Sequence, residues 1–128
     1  MTIKMAPLVL ASVLIFPGSA GAVQTSLLLE LGAGGGDLER RVILYDCGAE
    51  APLEVTYLNA APNFLAVVPL EDEPEPLIFS AVLSGSGVRY AAGHWLWMTQ
   101  GSDASLLDVT LDEDAEPVLS CEEISNTP

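Results

Sequence analysis

The chain is poor in positive charge. It contains four Lys and Arg residues against 18 Asp and Glu, which gives a formal net charge of −14. Because every nucleotide carries a negative phosphate, so acidic a chain excludes DNA and RNA as partners. The same charge favours a basic partner through long-range attraction. Taken alone, however, it fits a saline habitat or simple solubility equally well.

Histidine is also scarce, since His94 is the single one. Ser84 and Ser86 lie in a glycine-rich turn rather than in the strand-turn-helix setting of a catalytic serine, so the sequence does not support a Ser/His/Asp arrangement. The acidic segment 71–76 lacks the glycine turn and ordered ligand spacing of a calcium loop. No His or Cys spacing suggests a metal site. We therefore expect no enzymatic activity, no cofactor and no metal.

The long apolar run of this chain lies at its N-terminus. Lys4 precedes an apolar segment over residues 5–16, which is too short to span a bilayer, and residues 20–22 have the small-x-small pattern of a cleavage site. This predicts a signal peptide over residues 1–22, cleaved near Ala22. No cysteine follows the apolar run, so we expect no lipid or membrane anchor.

The remaining chain has room for one small domain. We divide it into an N-terminal extension and linker over residues 23–41, a β domain over residues 42–124 and a tail over residues 125–128. Residues 32–37 are glycine-rich and predict a flexible linker, and the leucine-rich segment 25–31 is left open as a possible additional strand.

The chain has two cysteines, Cys47 and Cys121, without a CxxC pair. In an exported protein an even count of this kind predicts a disulfide, which would join the first core strand to the last. The loop it closes is long, and the chain-entropy model gives such a closure about 4–5 kcal/mol of stability.

Short apolar segments, separated by Gly, Pro and acidic turns, predict an all-β fold. No helical period is sustained beyond the leader. Regularly spaced short strands are typical of a small antiparallel barrel or sandwich, here of about eight strands. We predict strands over residues 42–46, 53–57, 64–68, 77–83, 88–91, 94–100, 104–111 and 118–121.

The most informative segment is residues 84–101, SGSGVRYAAGHWLWMTQG. Its glycines mark tight turns, so it predicts two antiparallel strands with two exposed tips, one presenting Ser86 and the other Gln100. Trp95 and Trp97 share one strand face, and we expect them to pack the barrel rather than to form an exposed stacking surface. His94 is expected on the opposite face.

These turns, followed by Ala104 and flanked by the two cysteines, resemble the MliC/PliC family of periplasmic inhibitors of c-type lysozyme. The resemblance covers about residues 45–121 and implies an eight-stranded antiparallel barrel in the soluble periplasmic branch. In that family an SxSGxxY turn and a W-x-K-G-like turn supply a serine and a lysine to the lysozyme cleft. Ser86 stands at the serine position and Gln100 at the lysine position. The implied lysozyme-binding residues are Ser84, Ser86, Gly87, Arg89, Tyr90, Gln100 and Gly101.

Two functions follow from the resemblance. The first is inhibition of c-type lysozyme, a basic enzyme, by insertion of the exposed loops into its active-site cleft. The second is a periplasmic barrel that keeps the scaffold, binds another ligand or partner and does not inhibit. Gln100 motivates the second, because glutamine keeps an N–H donor but lacks the positive charge of lysine.

Overall fold

The computed structural model describes residues 37–127, together with the isolated residues 2 and 12. Apart from residues 2 and 12, the predicted signal peptide (residues 1–22) lies outside the described residues, as do its cleavage point, the leucine-rich segment 25–31 and residues 32–36 of the predicted linker. None of the described residues belongs to a helix that is long and apolar enough to cross a membrane.

Eight antiparallel strands form a closed barrel, which confirms the predicted fold class. Each strand pairs with its neighbours in chain order, and the last strand pairs with the first. The strands are β1 (Glu39–Asp46), β2 (Leu53–Ala60), β3 (Asn63–Val68), β4 (Leu77–Val82), β5 (Val88–Ala92), β6 (Trp95–Gln100), β7 (Asp103–Asp108) and β8 (Leu119–Thr127).

The first and last strands of the chain are longer than the sequence predicts. β1 begins at Glu39 rather than at residue 42, and β8 continues to Thr127 rather than ending at residue 121. Residues 125–127, predicted as a tail, pair with β1 instead, with Thr127 opposite Val42. Closure explains this extension, because strands in a barrel tilt and stagger, so β8 must reach along both β7 and β1.

Strand β7 is shorter than predicted and ends at Asp108 rather than at residue 111. The Asp108 carboxylate accepts hydrogen bonds from the Thr110 hydroxyl at 2.6 Å and from the Thr110 backbone N–H at 2.9 Å. These bonds turn the chain and lower the pKa of Asp108. Val109 and Leu111 consequently lie outside the sheet and are exposed.

Alternate residues of the strands fill the barrel interior. Phe79, Trp97 and Leu106 are fully buried. The Trp97 indole N–H donates to the Tyr57 hydroxyl at 2.9 Å, and the Tyr57 and Tyr45 hydroxyls lie 2.8 Å apart. The polar atoms of Trp97, Tyr57 and Tyr45 thus satisfy one another in the core.

The predicted disulfide is present. Cys47, directly after β1, is bonded to Cys121 in β8, 74 residues further along the chain. It therefore joins the two strands whose pairing closes the barrel.

The alternating strand directions place the connections at two opposite ends. The tip end consists of the turns 61–62, 83–87 and 101–102. The disulfide end consists of the loops 47–52, 69–76, 93–94 and 109–118.

Candidate functional site

The two turns predicted to carry Ser86 and Gln100 are neighbours at the tip end. β5 and β6 form a hairpin in which Val88, directly after the first turn, pairs with Thr99, directly before Gln100. Ser86 and Gln100 are both exposed. The structure therefore brings the two predicted tips together on adjacent strands.

Gly87 makes this close approach possible. Its φ is +68°, and a Cβ at this position would overlap the Thr99 carbonyl oxygen and contact the Gln100 Cβ at 3.4 Å. Glycine is thus required here both for its backbone angle and for its lack of a side chain. The serine turn rests directly on the backbone of the glutamine turn.

One hydrogen bond holds each tip. The Ser84 hydroxyl donates to the Ser86 carbonyl oxygen at 2.9 Å across the first turn. In the second turn, Gly101 and Ser102 connect the paired residues Gln100 and Asp103. The Ser102 carbonyl oxygen accepts a hydrogen bond from the Glu123 backbone N–H at 2.8 Å, which ties this turn to β8.

A small cavity opens at the mouth of the barrel at the tip end. It measures about 250 Å³, and its wall includes Tyr90, Thr99, Gly101 and Glu123. Asn59 also lines it, and the Oδ1 atom of Asn59 is buried without a hydrogen-bond partner. The tip end therefore combines two exposed turns with a polar recess that borders the second of them.

Comparison with known proteins identifies the family. Residues 45–114, more than half of the chain, match the family model described as membrane-bound lysozyme-inhibitor of c-type lysozyme, MliC. The chain belongs to the MliC family. This confirms the resemblance inferred from the two turns and the cysteines.

Two curated relatives carry the same description. A membrane-bound lysozyme inhibitor of C-type lysozyme from Pseudomonas aeruginosa is 44% identical over 73 residues, which cover 57% of each protein. One from Cupriavidus necator is 34% identical over 80 residues, which cover 62% of each. The match thus spans about three fifths of the length of these relatives.

A solved structure has the same fold. It is the crystal structure of Pseudomonas aeruginosa MliC in complex with hen egg white lysozyme, with 36% sequence identity and a TM-score of 0.61. The match covers 81% of this chain and all of that one.

Tyr90 does not belong to the exposed surface implied by the MliC resemblance. It is buried in the barrel, with its ring centroid 5.6 Å from that of Tyr57. Burial raises the pKa of Tyr90. Tyr90 therefore supports the serine turn from inside, whereas Arg89, the next residue, is exposed on the outer face of β5.

His94 lies in a different place from the one predicted. It occupies the two-residue turn between β5 and β6 rather than the outer face of a strand, and its ring centroid is 4.3 Å from that of Trp95. The turn is at the disulfide end, so the structure separates the single histidine from Ser86. The two tryptophans pack the barrel, as expected. Trp97 is buried, and Trp95 is half-buried against the core.

The tip end has little positive charge to offer a partner. The single lysine of the chain, Lys4, lies in the predicted leader. Arg41 is near the cavity but pairs with Glu39, at 2.9 Å between Nη2 and Oε1. Among the described residues, Arg40 in β1 and Arg89 on the strand that follows the serine turn are the other exposed cations.

Leu83 is an exposed apolar residue beside the serine turn that the sequence analysis did not identify as a candidate contact to a partner. Leu83 was predicted to end β4, but the strand stops at Val82 and the Leu83 side chain is fully exposed directly before Ser84. Val82 and Val88 are also partly exposed. Exposed apolar clusters mark interaction surfaces. The alternation of β4 alone would place Leu83 on the same inward face as Phe79, so the sequence does not predict its exposure.

Proposed function

We propose that this protein inhibits c-type lysozyme by inserting the Ser86 and Gln100 turns into the active-site cleft of the enzyme. The observation that carries the proposal is the contact of Gly87 with the Thr99 backbone, which joins the two turns into one protrusion. MliC from Pseudomonas aeruginosa, which has the same fold, is bound to hen egg white lysozyme in its crystal structure.

Ser86 is the proposed contact to a catalytic carboxyl group. Lysozyme acts through two carboxyl groups, one protonated and one ionised, that flank the glycosidic bond. A hydroxyl that donates to a charged carboxylate contributes about 1.5–3 kcal/mol. Ser86 is short and exposed between Gly85 and Gly87, so it suits a narrow groove.

Gln100 is proposed as the second donor. Its side-chain amide keeps N–H groups that a carboxylate can accept, although it lacks the charge of a lysine ammonium. Ser84, Gly87 and Gly101 hold the two turns in position, and Arg89 lies at their edge. The net charge of −14 attracts a basic enzyme and hastens the encounter.

Inhibition of cell lysis tests the proposal. The protein is mixed with a c-type lysozyme at low salt, and lysis of peptidoglycan-bearing cells is followed. We expect inhibition at micromolar protein and at least about tenfold weaker inhibition by Ser86→Ala. Ser80→Ala, at an exposed serine on the side of the barrel, is the matched control and should inhibit normally. An absence of inhibition by the unmodified protein would refute the proposal.

A barrel that binds another partner without inhibiting lysozyme is the second candidate, and Gln100 is the observation that favours it. The lysis assay separates the two, because this candidate predicts no inhibition.

We further propose that the protein is not an enzyme and that it acts in the periplasm after export, without an anchor. The relatives are described as membrane-bound, so fractionation of expressing cells into soluble and membrane fractions decides the last point.

A further inference from the structure

A second cavity lies at the disulfide end, away from the proposed lysozyme-binding turns. It measures about 470 Å³, almost twice the size of the cavity at the tip end. The side chains that form its apolar wall are Leu53, Leu70, Trp95, Leu106, Val118 and Leu119. A largely apolar concavity of this size is typical of a site for a small organic molecule.

The wall of this cavity is held in place by fixed contacts. Cys47, which also lines it, is disulfide-bonded to β8. The Val118 backbone N–H donates to the Leu106 carbonyl oxygen at 2.7 Å, and the Glu73 N–H donates to the Leu70 carbonyl oxygen at 3.1 Å. The cavity is therefore preformed and does not require a loop to order on binding.

The charged residues that line this cavity are all acidic. Glu54, Glu71, Asp72 and Glu73 line it, and no Lys, Arg or His is among its lining residues in the described part of the chain. Trp95 contributes an indole ring, whose face attracts cations. An apolar wall with acidic groups and an indole ring fits a ligand that is apolar along its length and positively charged at one end.

We propose that this cavity binds small amphipathic cations of the alkylammonium type. The alkyl chain lies against the leucine wall, and the ammonium group lies beside the carboxylates of the 71–73 segment. The site is independent of the proposed lysozyme-binding turns, because the two are at opposite ends of the barrel.

Titration with octylammonium chloride, followed by amide and indole NMR, tests this proposal. We expect saturable binding, with shifts at the Trp95 indole and at Leu70 and Leu119, and little change at the Trp97 indole in the core. Octyl sulfate has the same chain with the opposite charge and is expected to bind at least about tenfold more weakly. Equal binding of the two, or no shift at Trp95, would overturn the proposal.

Two double variants separate the site from general attraction by an acidic protein. Glu71→Gln with Glu73→Gln removes charge at the cavity and should weaken octylammonium binding about tenfold. Glu113→Gln with Glu116→Gln removes as much charge from exposed residues that do not line the cavity and should leave binding unchanged. Equal effects of the two pairs would show attraction without a site and would also overturn the proposal. The lysis assay on the same variants reports separately on lysozyme inhibition.

Discussion

Gln100 stands at the position where the resemblance to MliC implies a lysine. Its place at the tip end can be read from the sequence, because Trp97 and Gly101 fix it in the second turn. The structure adds that the turn lies directly under Gly87. A side chain at position 100 therefore extends from the same protrusion as Ser86 and is expected to enter the cleft with it.

Gln100→Lys should strengthen inhibition by about tenfold, because an ammonium group near carboxylates gains a charge-assisted hydrogen bond. Inhibition constants from cell lysis measure the effect. Ser80→Lys adds the same charge at an exposed position on the side of the barrel and should not strengthen inhibition. A Gln100→Lys protein that inhibits more weakly than the unmodified protein would show that our account of this position is wrong.

The buried tyrosines predict sensitivity to high pH. Burial raises the pKa values of Tyr45, Tyr57 and Tyr90 above the ordinary 10.0. The unfolded chain therefore loses these protons first, so stability is complete below pH 10 and falls as the pH rises above it. Each tyrosine contributes up to about 1.4 kcal/mol per pH unit to this fall.

Urea unfolding above pH 10 measures this dependence, and Tyr90→Phe tests its source. Phenylalanine keeps the ring and removes the ionisable hydroxyl, so we expect a shallower loss of stability with pH. A slope identical to that of the unmodified protein would mean that Tyr90 ionises as freely in the folded chain as in the unfolded one.

At the scale of elements, the pairing of β5 with β6 creates the candidate site, and Gly87 sets the distance between its two turns. Gly87→Ala should weaken inhibition by about tenfold or more, because the added Cβ overlaps the Thr99 carbonyl oxygen and pushes the serine turn away. Inhibition constants and urea unfolding are measured together.

Gly93→Ala is the matched control for this change. Gly93 also has a positive φ, of +56°, but a Cβ there meets nothing within 4 Å. It should lose stability through backbone strain alone and keep its inhibition. If both variants inhibit normally, the close packing of the two turns does not matter for function.

The sequence predicts the number and order of the strands well, but not their ends. Alternation places Val55 and Tyr57 on the buried face of β2, because period-two patterning records which face is covered. The end of β7 depends instead on hydrogen bonds between Asp108 and Thr110. The reach of β8 depends on barrel closure, and neither effect leaves a hydrophobic pattern.

Only part of the candidate site could be predicted from the sequence. Motif spacing predicted two exposed turns that carry Ser86 and Gln100, because glycine turns are encoded locally, and both side chains are exposed on adjacent strands. The exposure of Leu83 was missed, since it depends on where β4 stops relative to the barrel rim. Tyr90 was taken as a binding residue with the serine motif, but it faces the interior from the middle of β5. His94 was misplaced because the turn between β5 and β6 takes two residues, Gly93 and His94.

At the scale of the whole molecule, the barrel is closed by the pairing of β1 with β8 and by the bond between Cys47 and Cys121. Replacing both cysteines with alanine should lower the free energy of unfolding by about 4–5 kcal/mol, because the unfolded chain is then no longer constrained by the long loop. Urea unfolding of the oxidised protein and the variant measures the difference. A difference near zero would show that strand pairing alone holds the barrel closed.

The central claim is that the joined Ser86 and Gln100 turns occupy the catalytic cleft of c-type lysozyme. Competition with an N-acetylglucosamine oligosaccharide that fills this cleft tests it most directly, with the affinity of the protein for lysozyme measured by calorimetry at increasing oligosaccharide. The account predicts that the apparent affinity falls in proportion to the occupancy of the cleft. Undiminished binding to a lysozyme whose cleft is filled would contradict it.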